Sequence, residues 1–574
     1  MAEIHSLSTG RLPPIPDDLT VPQFQLDTID PTRPLRHANI PCLVDDASGR
    51  QIYFEELRER TRGLANALSS LYSIEENDVV LLFSRNHVDY PVAIWAVHRL
   101  GGVISPANPD FSRSELEFQL KATKATHLIT HPDVFETAVS AAQATGLSLD
   151  RIMVFDVQGA SPTKLTTVDQ LVQRGFQMKA FSERKLRPGE GKTKIAFLSF
   201  SSGTTGTPKG VAIPHIALIA NVLQLAAHSK VNENYAEWKD RRYRPGDVAI
   251  GVLPLYHIYG LVVNLHFLLY CAMTVVVIPK FNFEGMLKSI VRHRITHLMI
   301  VPPQAVLLCK HPAVKKYDLS GIRYIMIGAA PLTDEVNEML FNLFPEAHIG
   351  QGYGMTETCT VTAIWSIDHK RGMSGGAGQL LPGVVARVLK TDGTLAGYSE
   401  IGELVTKAPS NALGYFNNAQ ATKETFIDGY VRTGDEVKIT PDRELWVLDR
   451  IKEIMKVRGF QVAPAELEGT ILDHPDISDA CVVGIPDEYS GEVPLAFVVL
   501  TIDAASRVKR NPSLLHEIRQ SVLKHVADNK IKYKHLAGGV EFVESIPKTP
   551  SGKLLRRVLR ERAKELRKAP KAKF

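Results

Sequence analysis

Residues 197–211 read FLSFSSGTTGTPKGV, gathering six hydroxyl side chains, three glycines and one lysine at the end of a short apolar run. Ser, Thr and Gly are ordinary turn formers, so a cluster of them alone is as ordinary as a surface loop. Its neighbours argue for more. Residues 195–200 have the texture of a buried strand, and IPHIALIANVLQLAAH carries apolar residues at helical spacing. Strand, glycine loop and helix in this order predict a phosphate cradle. Gly203, Gly206 and Gly210 let backbone N–H groups converge, Ser201, Ser202, Thr204, Thr205 and Thr207 add donors, and Lys209 adds a charge. The spacing departs from G-x-x-x-x-G-K-[ST], because no glycine directly precedes Lys209, which disfavours a P-loop kinase or motor.

A length of 574 residues suggests three to four domains or subdomains at roughly 150 residues each. With 44% hydrophobic and 22% charged residues the chain is ordinary and globular. Five widely spaced cysteines without C-x-x-C spacing predict free thiols and no zinc site. The net charge of +5 conceals an uneven distribution. Residues 553–574 carry ten Lys/Arg and two Glu, so the body before them sums to −3 and does not read as a nucleic-acid surface. The tail reads as a solvated basic helix, with weak membrane-surface contact as the alternative. The opening lacks a basic start followed by an apolar stretch, which predicts an intracellular protein. The cytoplasm comes first and the peroxisome second, because Ala-Lys-Phe only distantly resembles the Ser-Lys-Leu address. HIYGLVVNLHFLLYCAMTVVVI is long and apolar, but Asn264, His266 and Thr274 interrupt it, which predicts a buried helix feeding a buried strand.

The runs DVVLLFS, VAIGVLP, TVVVIP, THLMIVP and IRYIMIG each precede helical spacing, which predicts an α/β fold with layered parallel sheets. Residues 1–40 are proline-rich and expected to be an irregular lead-in. A β-rich subdomain is expected over about 375–448, with ARVLKTDGTLAG and IGELVTKA as hairpin strands. The texture changes at DRIKEIMKVRGFQVAPAELE, which divides the chain into a large N-terminal domain, 1–448, and a small α+β domain, 449–574.

Three further stretches carry chemistry. In GQGYGMTET, Tyr353 suits a base, Thr356 a phosphate, and Glu357 Mg²⁺, which favours one carboxylate plus phosphate oxygens. An incidental helix cap explains Thr356 about as well. In RTGDEV, Asp435 suits two ribose hydroxyls or a plain turn. In PKTPSGKLLRR, Lys553 follows a Ser-Gly turn, where a lone lysine is ordinarily solvent decoration.

Together and in this order, with PLYHIYG and RGFQVAPAELE, these stretches resemble the adenylate-forming superfamily of acyl-CoA synthetases, 4-coumarate-CoA ligases and luciferases. The resemblance runs from about residue 43 to about residue 559 and is closest to the coumarate ligase branch. It implies a large domain and a small mobile C-terminal domain, with ATP, Mg²⁺ and coenzyme A as cofactors and a small carboxylic acid as substrate. A monomer or homodimer is expected. It implies that residues 201–209 cradle the β- and γ-phosphates, Thr356 the α-phosphate and Glu357 the metal. By the same resemblance Gly328, Ala329, Ala330 and Tyr353 would hold adenine, Asp435 and Arg450 would hold ribose, and Gln351, Gly352, Gly354 and Gly459 would complete the nucleotide set. In that family pattern Lys452 falls on the hinge position, Lys456 and Gln461 match positions that help hold the adenylate, His257 sits where the family places a residue near the acyl carboxylate, and Lys553 matches the mobile adenylating lysine. Ile258, Tyr259, Val263, Met326 and Ile327 line the acyl pocket. Coumarate ligases often carry a lysine where this chain has Met326, so an apolar acid, medium-chain fatty or aryl, is expected in place of a hydroxycinnamate. The alternatives are an enzyme that passes acyl-AMP to a carrier protein in trans and a catalytically silent nucleotide-binding regulator.

Overall fold

The computed structural model describes all residues except 1–2, 8–11, 29–31, 160–164, 202–207, 331, 333, 452, 458–459, 488–489, 550–551, 553 and 569–574. Four sheets organise the described residues. One has seven strands, in the order Gly414–Tyr415, Lys209–Pro214, Ile195–Ser201, Val103–Ala107, Val79–Phe83, His127–Thr130 and Ile152–Val154. Another has nine, with Leu43–Asp45, Thr274–Val277, Val248–Gly251, His297–Ile300, Tyr324–Ile327 and His348–Met355 running parallel. All five quoted apolar runs are parallel strands. Their burial on both faces accounts for the unbroken Val/Ile/Leu texture.

The two sheets share one core. Val80, Leu82 and Ile104 of the first and Ala249, Val275 and Met326 of the second belong to a single apolar cluster. Helix His215–His228, apolar nearly all round, lies within it. Asn86 stitches the sheets together: its amide donates to the carbonyls of Gly251 (3.1 Å) and Leu253 (2.9 Å) and accepts from Leu255 N (2.8 Å). The long apolar stretch is a π-helical segment, Gly260–Phe267, leading through Leu268–Tyr270 into strand Thr274–Val277. Its polar interruptions find partners inside the core: the Asn264 amide nitrogen donates to Ile250 O (2.8 Å) and His266 Nε2 accepts from Trp95 Nε1 (3.1 Å). Among the described residues no helix is long and apolar enough to cross a membrane.

The expected β-rich unit is the six-stranded sheet, in which Val385–Leu389 and Gly402–Lys407 form the predicted antiparallel pair. Its edge differs from expectation. Residues 1–40 are not wholly irregular: Ile4–His5 pairs with Val385–Leu389, and Gln23–Asp27 is a buried π-helical turn. Burial of Ile4, Phe24 and Leu26 gives this proline-rich segment an anchor that proline spacing does not report.

Strands between residues 455 and 542 form the five-stranded sheet, with cores on both faces. Helices Pro464–Leu472 and Leu514–Asn529 cover one face, and Arg556–Lys568 covers the other. Leu559 and Ala563 of that basic tail helix are buried against the sheet, so this part of its apolar stripe is already covered.

Candidate active site

Ser201 ends its strand directly opposite Lys209, the first residue of the next one. The glycine-rich loop thus joins two antiparallel strands, and the expected direct passage from loop to helix does not occur. Helix His215–His228 begins only after strand Lys209–Pro214. Ser202, Gly203, Thr204, Thr205 and Gly206 lie outside the described residues.

The ends of this hairpin converge on Glu357. Ser201 Oγ donates to Glu357 Oε1 at 3.0 Å, and Tyr415 OH donates to the same oxygen at 2.9 Å. Tyr415 lies on the short strand paired with Lys209–Pro214, and the Lys209 ammonium sits 5.1 Å from its ring centroid. Glu357 itself lies in the tight turn Thr356–Thr358, 5% exposed. Thr356, half-buried, opens that turn. A carboxylate that accepts from two hydroxyls, one of them on the ring the Lys209 ammonium faces, fits a magnesium polyphosphate: Glu357 would hold Mg²⁺ with phosphate oxygens, and the metal would neutralise phosphate charge there. Tyr415 escaped the sequence reading, because 58 residues separate it from Glu357 and only strand pairing unites them.

A second cluster forms where strand His348–Met355 meets the antiparallel pair Tyr430–Ile439 and Leu445–Arg450 of the six-stranded sheet. Asp435, 3% exposed, accepts from Tyr353 OH at 2.6 Å and pairs with Arg450 Nε at 2.8 Å. Asp435 and Arg450 are cross-strand partners, so their side chains meet by register. Burial, and then the charge of Asp435, push the Tyr353 phenol well above its ordinary value. Burial works against the Arg450 charge, but Asp435, Tyr353 and Glu357 outweigh it and hold its pKa above the usual arginine value. Gln351 braces the loop after strand Tyr324–Ile327, accepting from Leu332 N (2.9 Å) and donating to Gly376 O (3.3 Å). Gly328 and Ala330 flank Ala329, whose φ of +73° turns this loop back. Gly354 sits at the register shift between strands His348–Met355 and Thr360–Ile364.

On the acyl side, Tyr259 OH donates to Met326 O at 3.1 Å. The Tyr259 ring lies so near Gly328 that a Cβ there would meet it at 3.1 Å, and a Cβ on Gly352 would meet Met326 Cε at 2.6 Å. Ile258 is buried, and its carbonyl accepts from Thr360 Oγ1 at 3.0 Å. Val263 is buried in the π-helical segment, and His257 Nδ1 accepts from Tyr259 N at 3.2 Å. Ile327 is placed elsewhere. Strand alternation turns it into the core on the sheet's far side, with Ile300 and Leu332, while Met326 shares the core of Tyr259. It therefore does not line the wall with Met326.

Lys456 and Gln461 are partners across the hairpin Met455–Val457/Phe460–Val462, with Lys456 exposed. Lys452, Gly459 and Lys553 lie outside the described residues. Gly552, beside Lys553, lies against the large domain: a Cβ on it would meet Val301 at 3.2 Å and Pro303 at 3.4 Å.

Comparison with known proteins accords with this geometry. Residues 32–416 match the model of the AMP-binding enzyme family and residues 466–553 that of the AMP-binding enzyme C-terminal domain. The acyl-CoA ligase frbB of Dothideomycetidae sp. (strain 11243) is 32% identical over 92% of this chain and 94% of its own. A 4-coumarate–CoA ligase of Pinus taeda is 34% identical, with 92% of each chain covered. ATP-bound MatB from Rhodopseudomonas palustris superposes with a TM-score of 0.79 at 26% identity, covering 96% of this chain and all of its own. The chain belongs to the AMP-binding enzyme family. It is an AMP-forming acid–thiol ligase that uses ATP, Mg²⁺ and coenzyme A.

Proposed function

We propose that the protein converts an apolar carboxylic acid, medium-chain fatty or unsubstituted aryl, into its coenzyme A thioester through an acyl-AMP. The reading rests above all on the Tyr259–Met326 wall. The Tyr259 hydroxyl is already engaged by a backbone carbonyl, and the Met326 thioether closes against Gly352. A phenol entering there would lose its water and gain no partner from these two side chains, at a cost of roughly 1–3 kcal/mol, or about ten- to a hundredfold in specificity.

In the first half-reaction an acid oxygen attacks the α-phosphorus and pyrophosphate leaves with the broken P–O bond. The Ser201–Lys209 hairpin would hold the leaving phosphates and Thr356 the α-phosphate. Tyr353, Asp435 and Arg450 would hold the nucleoside, and Lys553 would offset charge at phosphorus. In the second, the coenzyme A sulfur attacks the acyl carbon, the acyl–phosphate bond breaks, and AMP leaves. We place the domain division near residue 449, with the small domain presenting one face to each half-reaction about Lys452. A panel of acids assayed for coenzyme A-dependent AMP formation tests the reading. Octanoate, benzoate or cinnamate should exceed 4-coumarate in kcat/KM by at least about tenfold, and 4-coumarate as the best acid would sink the pocket assignment.

A further inference from the structure

One helix of the large domain, Pro302–Lys310, is gripped by the small domain at both ends. Gly552 packs on Val301 and Pro303 at its start. At its end, half-buried Lys310 Nζ donates to Leu472 O (3.0 Å) and Ile477 O (3.4 Å). Leu472 O belongs to the last turn of helix Pro464–Leu472, whose final carbonyls have no partner within the helix, and a cation suits that end of the helix dipole. Beside this contact Asp473 of the small domain faces Glu335 of helix Asp334–Leu343, carboxyl to carboxyl. We infer that Lys310 is a positioning residue which latches the small domain in the pose that sets Gly552 against the large domain, and that the Asp473–Glu335 pair makes this latch loosen as pH rises. The inference rests on the two-step reading above.

The groups facing the latch oppose one another, and at Asp473 burial and the second carboxyl prevail. Burial, then Glu335, push the Asp473 carboxyl well above the ordinary carboxylate range, against the pull of Lys310 and Lys530. Burial pulls Lys310 down, against Asp473, Cys309 and Glu335. The docked pose thus holds a proton between the two carboxyls that an undocked pose releases. Docking is favoured below the raised Asp473 value and lost as pH rises through it. Deprotonation of Lys310 at still higher pH would remove the cation from the helix end, weaken its bonds to the two carbonyls and act in the same sense. Since the latch must also release for the second half-reaction, its strength would divide time between the two.

The test uses the full-length enzyme with dyes introduced through unnatural amino acids at exposed Glu338 and Lys524, reporting the separation of the domains. In Lys310→Met the docked fraction should fall. Acid-dependent pyrophosphate release should drop about five- to tenfold in kcat with KM for ATP unchanged. Thioester formation from supplied acyl-AMP should be retained or faster, and Lys310→Arg should restore docking in part. In the wild type the docked fraction should decline between about pH 6 and about pH 9, and Asp473→Asn should flatten that decline. A docked fraction in Lys310→Met equal to wild type, or parallel losses in both half-reactions, overturns the latch. A docked fraction insensitive to pH overturns its control by the carboxyl pair. If no acid supports pyrophosphate release in the wild type, the proposed function fails, while the dye distances still decide the latch.

Discussion

Glu357 receives hydroxyl donors from two different strands, and the two donors report different things when removed. Glu357→Gln keeps the shape but removes the charge, so activity should fall by about a hundredfold or more and recover in part with added Mg²⁺. Equal activity at all Mg²⁺ levels would remove Glu357 from the metal. Tyr415→Phe keeps the ring beneath Lys209 and deletes one hydrogen bond to a carboxylate, worth about 1.5–3 kcal/mol, so KM for MgATP should rise roughly ten- to a hundredfold. A rise in Ser201→Ala with none in Tyr415→Phe would show that Tyr415 does not position the carboxylate. Ser201, Lys209 and Glu357 were legible because glycines and hydroxyls punctuate the chain around them. Tyr415 was not, since its role exists only once its strand pairs with Lys209–Pro214. Ile327 was misread because adjacent residues on a strand face opposite ways, and the run IRYIMIG does not say which of its residues faces the site.

At the scale of elements, the parallel strands were legible from continuous apolar runs. The hairpin carrying the phosphate loop was not: KGVAIP is a run of six next to a longer helical pattern, and a short apolar run beside a helix does not reveal its own geometry. The N-terminal strand was hidden for a related reason, two residues being too few for any period. It nonetheless closes an edge. Ile4 is buried and pairs with Ala386, and Glu3 accepts from Arg387 (2.7 Å) and Tyr430 (2.5 Å). Ile4→Asp should lower unfolding stability by about 2–4 kcal/mol, from lost burial and a carboxylate placed in an apolar site. Denaturant midpoints should show the loss while KM for ATP stays unchanged, and an unaltered midpoint would mean the edge strand contributes nothing.

Across the whole molecule, the core between the two large sheets contains neutral histidines. Burial holds His215 down to about 3, and His266 and His297 down to about 4. Each has an unfolded value near 6.5, so below that value the unfolded chain binds protons the folded chain refuses. Their contribution is fully present above about pH 6.5 and is lost as pH falls toward about 4, at up to roughly 1.4 kcal/mol per pH unit for each histidine. Melting temperature should therefore drop steeply across that window, and His266→Gln, which keeps a polar side chain beside Trp95, should blunt the slope; a flat profile from pH 6.5 to 4.5 would contradict the burial of these rings.

The edge strand also has a consequence in time. Glu3 and Arg387 are 384 residues apart in the chain. At roughly 5–20 residues per second the ribosome delivers the second about 20–80 s after the first. Through that interval Ile4–His5 await their partner strand, while much of the two α/β sheets has time to assemble. The six-stranded sheet is then sealed by two segments 384 residues apart, a closure of very high contact order that belongs late in folding.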